Sequence, residues 1–368
     1  MSDLSMPSRP QDLTAEWLTD ALRSTGTIKD ASVTSFDMEP DIAAGVGFMG
    51  QLAKISPAYD HAESGAPGSI IAKFPASATE NREIAQIFRF YEIETRFYEQ
   101  IAGEVDLHTP KRYYSDIDLD SGDFILLLED LAPAQVADQV AGCTPEQAEL
   151  AIRELAKFHA TWWENPRMDE LEWMWAFNHA ARAAASQQSY QQAWGPFVEN
   201  FGKAVPPEIL EIGERFGEKM IEILNQLAAK PRTISHGDYR LDNLFFGTPE
   251  GGAPLTVIDW QIMSIGRGAF DFAYFMTGTL PPAERKAKEH DLLKMYHGIL
   301  VERGVKDYSF DQLWEDYRIS TLFCWLYAVI VLGTMDIANE RGLALFTANL
   351  ERNVAALTDL NAGELLPT

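Results

Sequence analysis

Strand-like segments gather in the first third of this 368-residue chain, and a long helical remainder encloses one further short hairpin. That order limits the fold more than any other feature of the sequence. Gln51-Leu52-Ala53-Lys54-Ile55 alternates as a half-buried strand does, and Ile70-Ile71-Ala72-Lys73-Phe74 reads as a second strand. The turn-rich stretch 57–69 separates them. Residues 111–117 and 124–128 read as two more strands, joined by Asp120-Ser121-Gly122-Asp123. Between the pairs, residues 79–102 predict one helix with Ile84, Ile87, Phe88, Tyr91, Tyr98 and Ile101 on a single stripe. Residues 13–24 predict a short amphipathic helix.

The pattern changes after Leu131. Thr144-Pro145-Glu146-Gln147 is a strong helix start, with a capping hydroxyl, proline in the first turn and a glutamine able to reach back. The helix that follows carries Ile152, Leu155, Ala156, His159, Trp162 and Trp163 on one face and stops before Pro166. Residues 243–246 and 255–258 predict two short strands around a Gly/Pro-rich loop; most of the rest is helical. The expected architecture is α+β and bilobal. Residues 1–131 form a small lobe of antiparallel sheet plus helix, and residues 132–368 form a larger, mainly helical lobe. A chain of this length exceeds the usual single domain of about 50–250 residues.

Composition narrows the partners. Acidic residues number 55 against 30 basic ones, a formal charge of −25. Such a surface repels phosphate backbones and anionic lipid, so neither nucleic acid nor a membrane is an expected partner. The two cysteines, Cys143 and Cys324, give neither a disulfide framework nor a metal spacing. The apolar run 319–333 falls short of the roughly 20 residues a spanning helix needs and predicts a buried core helix. Residues 1–10 are polar and carry no apolar signal core. A reduced, cytoplasmic enzyme is expected; nothing in the sequence speaks to its oligomeric state.

Chemistry concentrates in Ser235-His236-Gly237-Asp238-Tyr239-Arg240-Leu241-Asp242-Asn243, followed by Val257-Ile258-Asp259-Trp260. Phosphoryl transfer needs a carboxylate to orient an attacking hydroxyl and take its proton. It also needs oxygen ligands for Mg²⁺, which offsets charge on the phosphates. Asp238 and Asn243 on one loop, with Asp259 at a strand end, supply those groups. Asp or Asn alone would mean little, because both are common in turns; the joint pattern carries the reading.

The His-Gly-Asp-x-x-x-x-Asn loop at 236–243 and the Ile258-Asp259 pair resemble the aminoglycoside phosphotransferase and choline kinase superfamily, and within it the ecdysteroid-kinase-like branch. The resemblance spans about residues 45–274. It implies a protein-kinase-like fold and transfer of the γ-phosphoryl group of ATP, with Mg²⁺. Asp238 would be the catalytic base, Asn243 and Asp259 the metal ligands, and His236 a structural prop for the loop.

A kinase-like site also needs a strand lysine on the α/β-phosphates, paired with a helix glutamate. Lys73 lies in an apolar strand, and Glu94 falls on the inward stripe of the next helix. Each accounts for the other, since an unpaired buried charge is costly. Gly45, Gly47 and Gly50 form a glycine-rich turn suited to bringing backbone N–H groups to phosphates; a plain hairpin turn is the other reading. Leu126-Leu127-Leu128-Glu129-Asp130-Leu131 resembles the family's hinge, where backbone groups between Glu129 and Leu131 would read the adenine edge. Asp271 matches a family position that braces the catalytic loop and is expected to be structural, as a cap for the next helix. His159 is expected as a satisfied core histidine.

The chain departs from protein kinases. Asp259 is followed by Trp260-Gln261 rather than Phe-Gly, no Ala-Pro-Glu follows, and the interval from Asp259 to Asp271 is too short for a peptide-docking activation loop. The expected acceptor is a small, moderately hydrophobic hydroxylated metabolite of steroid-alcohol or hydroxyacyl type. An aminoglycoside or choline-like amino alcohol is the alternative. Two readings of other classes are a pseudokinase that binds nucleotide without turnover and a metal-dependent hydrolase using His236, Asp238 and Asp259.

Overall fold

The computed structural model describes residues 5–42, 49–334 and 340–367. Gly45 and Gly47 of the glycine-rich turn lie outside them. The chain divides into two compact units, Met1–Glu104 with Thr109–Pro133, and Val105–His108 with Ala134–Thr368.

The first unit runs α1 (Ala15–Ser24), β1 (Val33–Pro40), β2 (Gly50–Tyr59), β3 (Ile70–Pro75), α2 (Thr79–Ile87), α3 (Phe90–Gln100), β4 (Arg112–Ile117) and β5 (Phe124–Glu129). The strands form one antiparallel sheet in the order β1-β2-β3-β5-β4. Its core joins Trp17, Leu18 and Leu22 of α1 to Ile70, Ala72, Phe74, Ile125 and Leu127. Side chains alternate across a strand, so Lys73 faces away from α1. The helix meeting it there is α3.

Residues 79–102 are not one helix, as the apolar stripe predicted. Arg89 adopts a left-handed conformation, φ 59°, and divides α2 from α3. Its guanidinium then reaches forward 2.7 Å to Glu92 in the first turn of α3. The break turns the stripe's first residues outward: Ile84 is 38% exposed and Ile87 57%. Strand β2 also extends beyond the predicted run, to Tyr59.

The second unit holds β6 (Gln135–Val136), α4 (Pro145–Trp162), α5 (Ala180–Phe201), α6 (Pro207–Leu227), β7 (Thr233–Ser235), β8 (Leu244–Thr248), β9 (Gly251–Val257), β10 (Ser264–Gly266), α7 (Ala269–Thr279), α8 (Pro282–Glu302), α9 (Phe310–Thr334) and α10 (Glu340–Asp359). The capping box at Thr144 and Gln147 forms as its residues dictate. Helix α9 contains the apolar run and, among the described residues, has the length and composition to cross a membrane. Its apolar window is 67% buried, which marks it as the central core helix. It packs on α5, α7 and α10, with Trp325 buried and its indole N–H donating to the Tyr190 hydroxyl at 3.0 Å.

Two small sheets position the functional loops. Strand β7 pairs with β10, and β8 pairs with β9. One loop leaves β7 and enters β8; the other leaves β9 and enters β10. Each loop is therefore anchored at both ends to the strands that anchor the other.

Candidate active site

The loop after β7 carries His236, Asp238 and Asn243; the loop after β9 carries Asp259. Asn243 O accepts from Ile258 N at 3.0 Å, extending the β8–β9 ladder to the residue before Asp259. Asp259 has φ 65°, a left-handed conformation that aspartate tolerates better than most residues. Gln261 Nε2 donates to its Oδ2 at 3.4 Å.

His236 joins the two loops. Its Nε2 donates to Ile258 O at 2.9 Å, and its Nδ1 accepts from Asp238 N at 3.2 Å. Those partners place the proton on Nε2 and occupy the Nδ1 lone pair, leaving the ring no free lone pair to act as a base. Trp260 packs edge-on against it, 4.5 Å between ring centroids. Gly237 completes the approach: with φ 91°, a Cβ there would lie 2.4 Å from Ile262 O.

Beneath the loop lies Asp271, which is fully buried. It does not cap its own helix, whose N-cap Gly268 makes no side-chain capping bond. Its carboxylate accepts from His236 N at 2.6 Å, from Gly237 N at 2.9 Å and from His159 Nε2 at 3.0 Å. His159 Nδ1 in turn meets the Tyr296 hydroxyl at 2.7 Å. Tyr239 ties the loop to α4 through Ala151 O, 2.8 Å, and Leu241 N donates to Gln139 Oε1 at 2.8 Å.

Asn243 Nδ2 donates both to Asp238 O and to Asp238 Oδ2, each at 2.9 Å. Its carbonyl Oδ1 is thus the atom left to face a cation. The Arg240 guanidinium lies 3.2 Å from the same carboxylate and pairs also with Asp242. Burial pushes the Asp238 carboxyl up, but Arg240, His236 and the Tyr274 hydroxyl together outweigh it and hold Asp238 below the usual carboxylate range. Burial and the Asp238 charge raise Tyr274 well above 10, which keeps its hydroxyl a donor.

Asp238, Arg240, Tyr274 and Tyr327 line a cavity of ≈ 200 Å³, whose apolar wall includes Ile262, Val331 and Phe346. Sequence reasoning assigned no role to Arg240, Tyr327 or Gln139. Tyr274 carried a signal, since it stands three residues after Asp271 and so shares its helix face. A larger depression of ≈ 570 Å³ near Trp163 and Arg303 lacks all of the motif residues.

In the first unit, Lys73 Nζ lies 2.6 Å from Glu94 Oε2, with both side chains buried. Gly50 begins β2, and a Cβ there would meet Phe74 O at 3.1 Å and Lys73 Cε at 3.4 Å. Glu129 Oε2 accepts from Lys111 N at 3.1 Å, and Asp130 takes Lys54 and Ser69 at 2.7 Å each. These carboxylates hold their own strands. Leu131, two residues beyond β5, is half-buried.

The sequence profile of the Ecdysteroid kinase-like family matches residues 44–308. The chain belongs to this family. Ecdysteroid kinase-like proteins are a family of small-molecule kinases. No curated protein matches the sequence. Among solved structures, the chain is similar to a Ralstonia eutropha protein provisionally assigned as an aminoglycoside phosphotransferase. That match has 16% identity and a TM-score of 0.52, and covers 95% of this chain and 98% of that one. It is also similar to aminoglycoside 2"-phosphotransferase-IIIa in complex with GDP and kanamycin, at 15% identity and a TM-score of 0.53, covering 93% and 98%. At these identities the likeness shows the fold, which is kinase-like with an N-terminal sheet lobe.

Proposed function

We propose that this Ecdysteroid kinase-like protein transfers the γ-phosphoryl group of ATP to a hydroxyl of a small, partly apolar metabolite, with Asp238 as the base. The observation that carries the reading is the position of Asp238. It lines a cavity and shares one loop framework with Asn243 and Asp259.

The acceptor hydroxyl donates its proton to the Asp238 carboxylate as its oxygen bonds to the γ-phosphorus. The bond from that phosphorus to the bridging oxygen breaks, and ADP leaves. Arg240 and Tyr274 keep Asp238 ionised and fix its direction; Asn243 Nδ2 holds the same oxygen from the loop side. Lys73, steadied by Glu94, is assigned to the α/β-phosphates, and the backbone at Gly50 and between Glu129 and Leu131 to nucleotide contact. Gly45 and Gly47 remain assigned with Gly50 on sequence grounds. His236 and Asp271 support the loop.

The donor set suits Mg²⁺: one carboxylate, Asp259, and one amide oxygen, Asn243 Oδ1. A hard ion that keeps water and phosphate as its other ligands asks for no more. Among the described residues no cluster of three or more acidic, His or Cys groups competes for a metal. When bound, the ion offsets charge on the phosphates.

The cavity favours an uncharged acceptor over an amino alcohol. Asp238 is the carboxylate among its described lining residues, and Arg240 already pairs with it. A metal-dependent hydrolase built on His236 is disfavoured, since both ring nitrogens are engaged within the loops. The test is a metabolite extract incubated with enzyme, ATP and Mg²⁺ and searched by mass spectrometry for a gain of one phosphoryl group. Kinase action predicts such a product; nucleotide binding with no product in any fraction would make the protein a non-catalytic module.

A further inference from the structure

Asn353 on α10 is 2% exposed and lines the same cavity as Asp238. Its Nδ2 donates to Asn349 O at 2.9 Å and to Asn349 Oδ1 at 2.7 Å. Both partners are acceptors, so the amide cannot be turned over: nitrogen faces Asn349 and Oδ1 faces the other way. No donor among the described residues reaches that buried Oδ1. Leaving such an acceptor unmet is costly, and a ligand donor that meets it is rewarded accordingly.

We propose that Asn353 selects the acceptor, its Oδ1 receiving a second hydroxyl of the molecule whose first hydroxyl Asp238 deprotonates. The inference rests on the kinase reading given above and adds a requirement to it. The acceptor must carry at least two hydroxyls, spaced to span the cavity between α10 and the loop after β7. An ammonium would meet a neutral amide at one end and an already paired carboxylate at the other, and so would stay an undercompensated buried charge. A hydroxyl carries no such penalty. The backbone beneath Asn353 is firmly set. Arg352, the preceding residue, donates to Gln139 O at 2.9 Å, Gly278 O at 2.7 Å and Val140 O at 2.6 Å. Gln139 also holds Leu241 N of the catalytic loop, so the selecting helix and the loop share one anchor.

Gly278 lines the cavity too, and a Cβ there would touch nothing closer than Gln139 Nε2 at 3.6 Å. A larger side chain at 278 therefore enters the cavity without displacing backbone.

The experiment uses a metabolite extract as probe, with ATP, Mg²⁺ and wild-type, Asn353→Leu or Gly278→Leu enzyme. Rates are counted per nucleotide-binding molecule, so misfolded protein does not register. The wild type is expected to phosphorylate alcohols that carry a further hydroxyl. Asn353→Leu should form those products about tenfold more slowly or worse at low acceptor concentration. It should no longer distinguish the acceptor from its analogue lacking the second hydroxyl, a difference that a general loss of activity would leave intact. Gly278→Leu should lose the same products. Wild-type products whose parents have a single hydroxyl, an unchanged profile for Asn353→Leu, or an unchanged profile for Gly278→Leu would each overturn this inference while leaving the kinase reading standing. Absence of any wild-type product would remove both.

Discussion

His236 Nε2 bonds to Ile258 O at 2.9 Å, tying the loop that holds Asp238 to the strand end that holds Asp259. The two acidic groups lie 21 residues apart in sequence, and this imidazole helps fix their relation in space. His236→Ala should therefore weaken Mg²⁺-dependent nucleotide binding as well as turnover. The lost bond, with the half-buried carbonyl left unmet, should cost about 1 kcal/mol of stability. Nucleotide titration with and without Mg²⁺, together with denaturant unfolding, checks both parts.

Asp271 supports the same loop from below, accepting two backbone N–H groups and His159. Asp271→Ala strands those donors in a dry core. It should destabilise the second unit by about 3–5 kcal/mol, as breaking a buried charged network does. Chemical unfolding measures the loss, and a change well under 1 kcal/mol would show that the loop holds its shape without this brace.

Arg240 helps set the charge state of Asp238, the proposed base. Burial alone would raise the Asp238 carboxyl, and the guanidinium, with His236 and the Tyr274 hydroxyl, reverses that. A carboxyl lowered in the folded state stays ionised, and lends stability, above its unfolded value; that contribution is lost as pH falls through the folded value. Arg240→Gln should move the acid limb of the kcat/KM profile to higher pH, because burial is then opposed by less positive charge. An acid limb that stays in place would remove Arg240 from this role.

Lys73 and Glu94 form a pair that can be dissected. Lys73→Met leaves Glu94 buried without its cation and should destabilise the first unit by about 3–5 kcal/mol. Lys73→Met with Glu94→Leu should recover much of that stability but not turnover, since the proposed phosphate contact of Lys73 stays missing. A double-mutant cycle on unfolding and on kcat/KM separates the two effects.

The parts of the site legible in the sequence were those whose chemistry is local or out of place. Asp238 and Asn243 sit five residues apart in one loop. Lys73 and Glu94 stood out as charges within apolar periodicities. The break at Arg89 was not legible, because Phe88-Arg89-Phe90 contains neither glycine nor proline and the apolar stripe runs through it. The left-handed arginine is held by a local contact, its reach to Glu92 three residues on, which no turn residue signals. Gln139, Tyr327 and Asn353 were hidden for another reason. They meet at the cavity from far separated segments, and each alone reads as an ordinary polar residue of a helix or turn. Asp271 was placed beneath the loop by resemblance, but its contacts with two backbone N–H groups emerge only in the fold.

The central claim is that Asp238 takes the acceptor's proton, and one comparison tests it most directly. Wild-type and Asp238→Asn enzymes are assayed for phosphorylated product in the same metabolite extract, with nucleotide affinity measured alongside. The account predicts a loss of about 10²–10⁴-fold in product formation, the usual contribution of a general base, with nucleotide affinity changed little. Product formation within a few-fold of wild type by Asp238→Asn would contradict it.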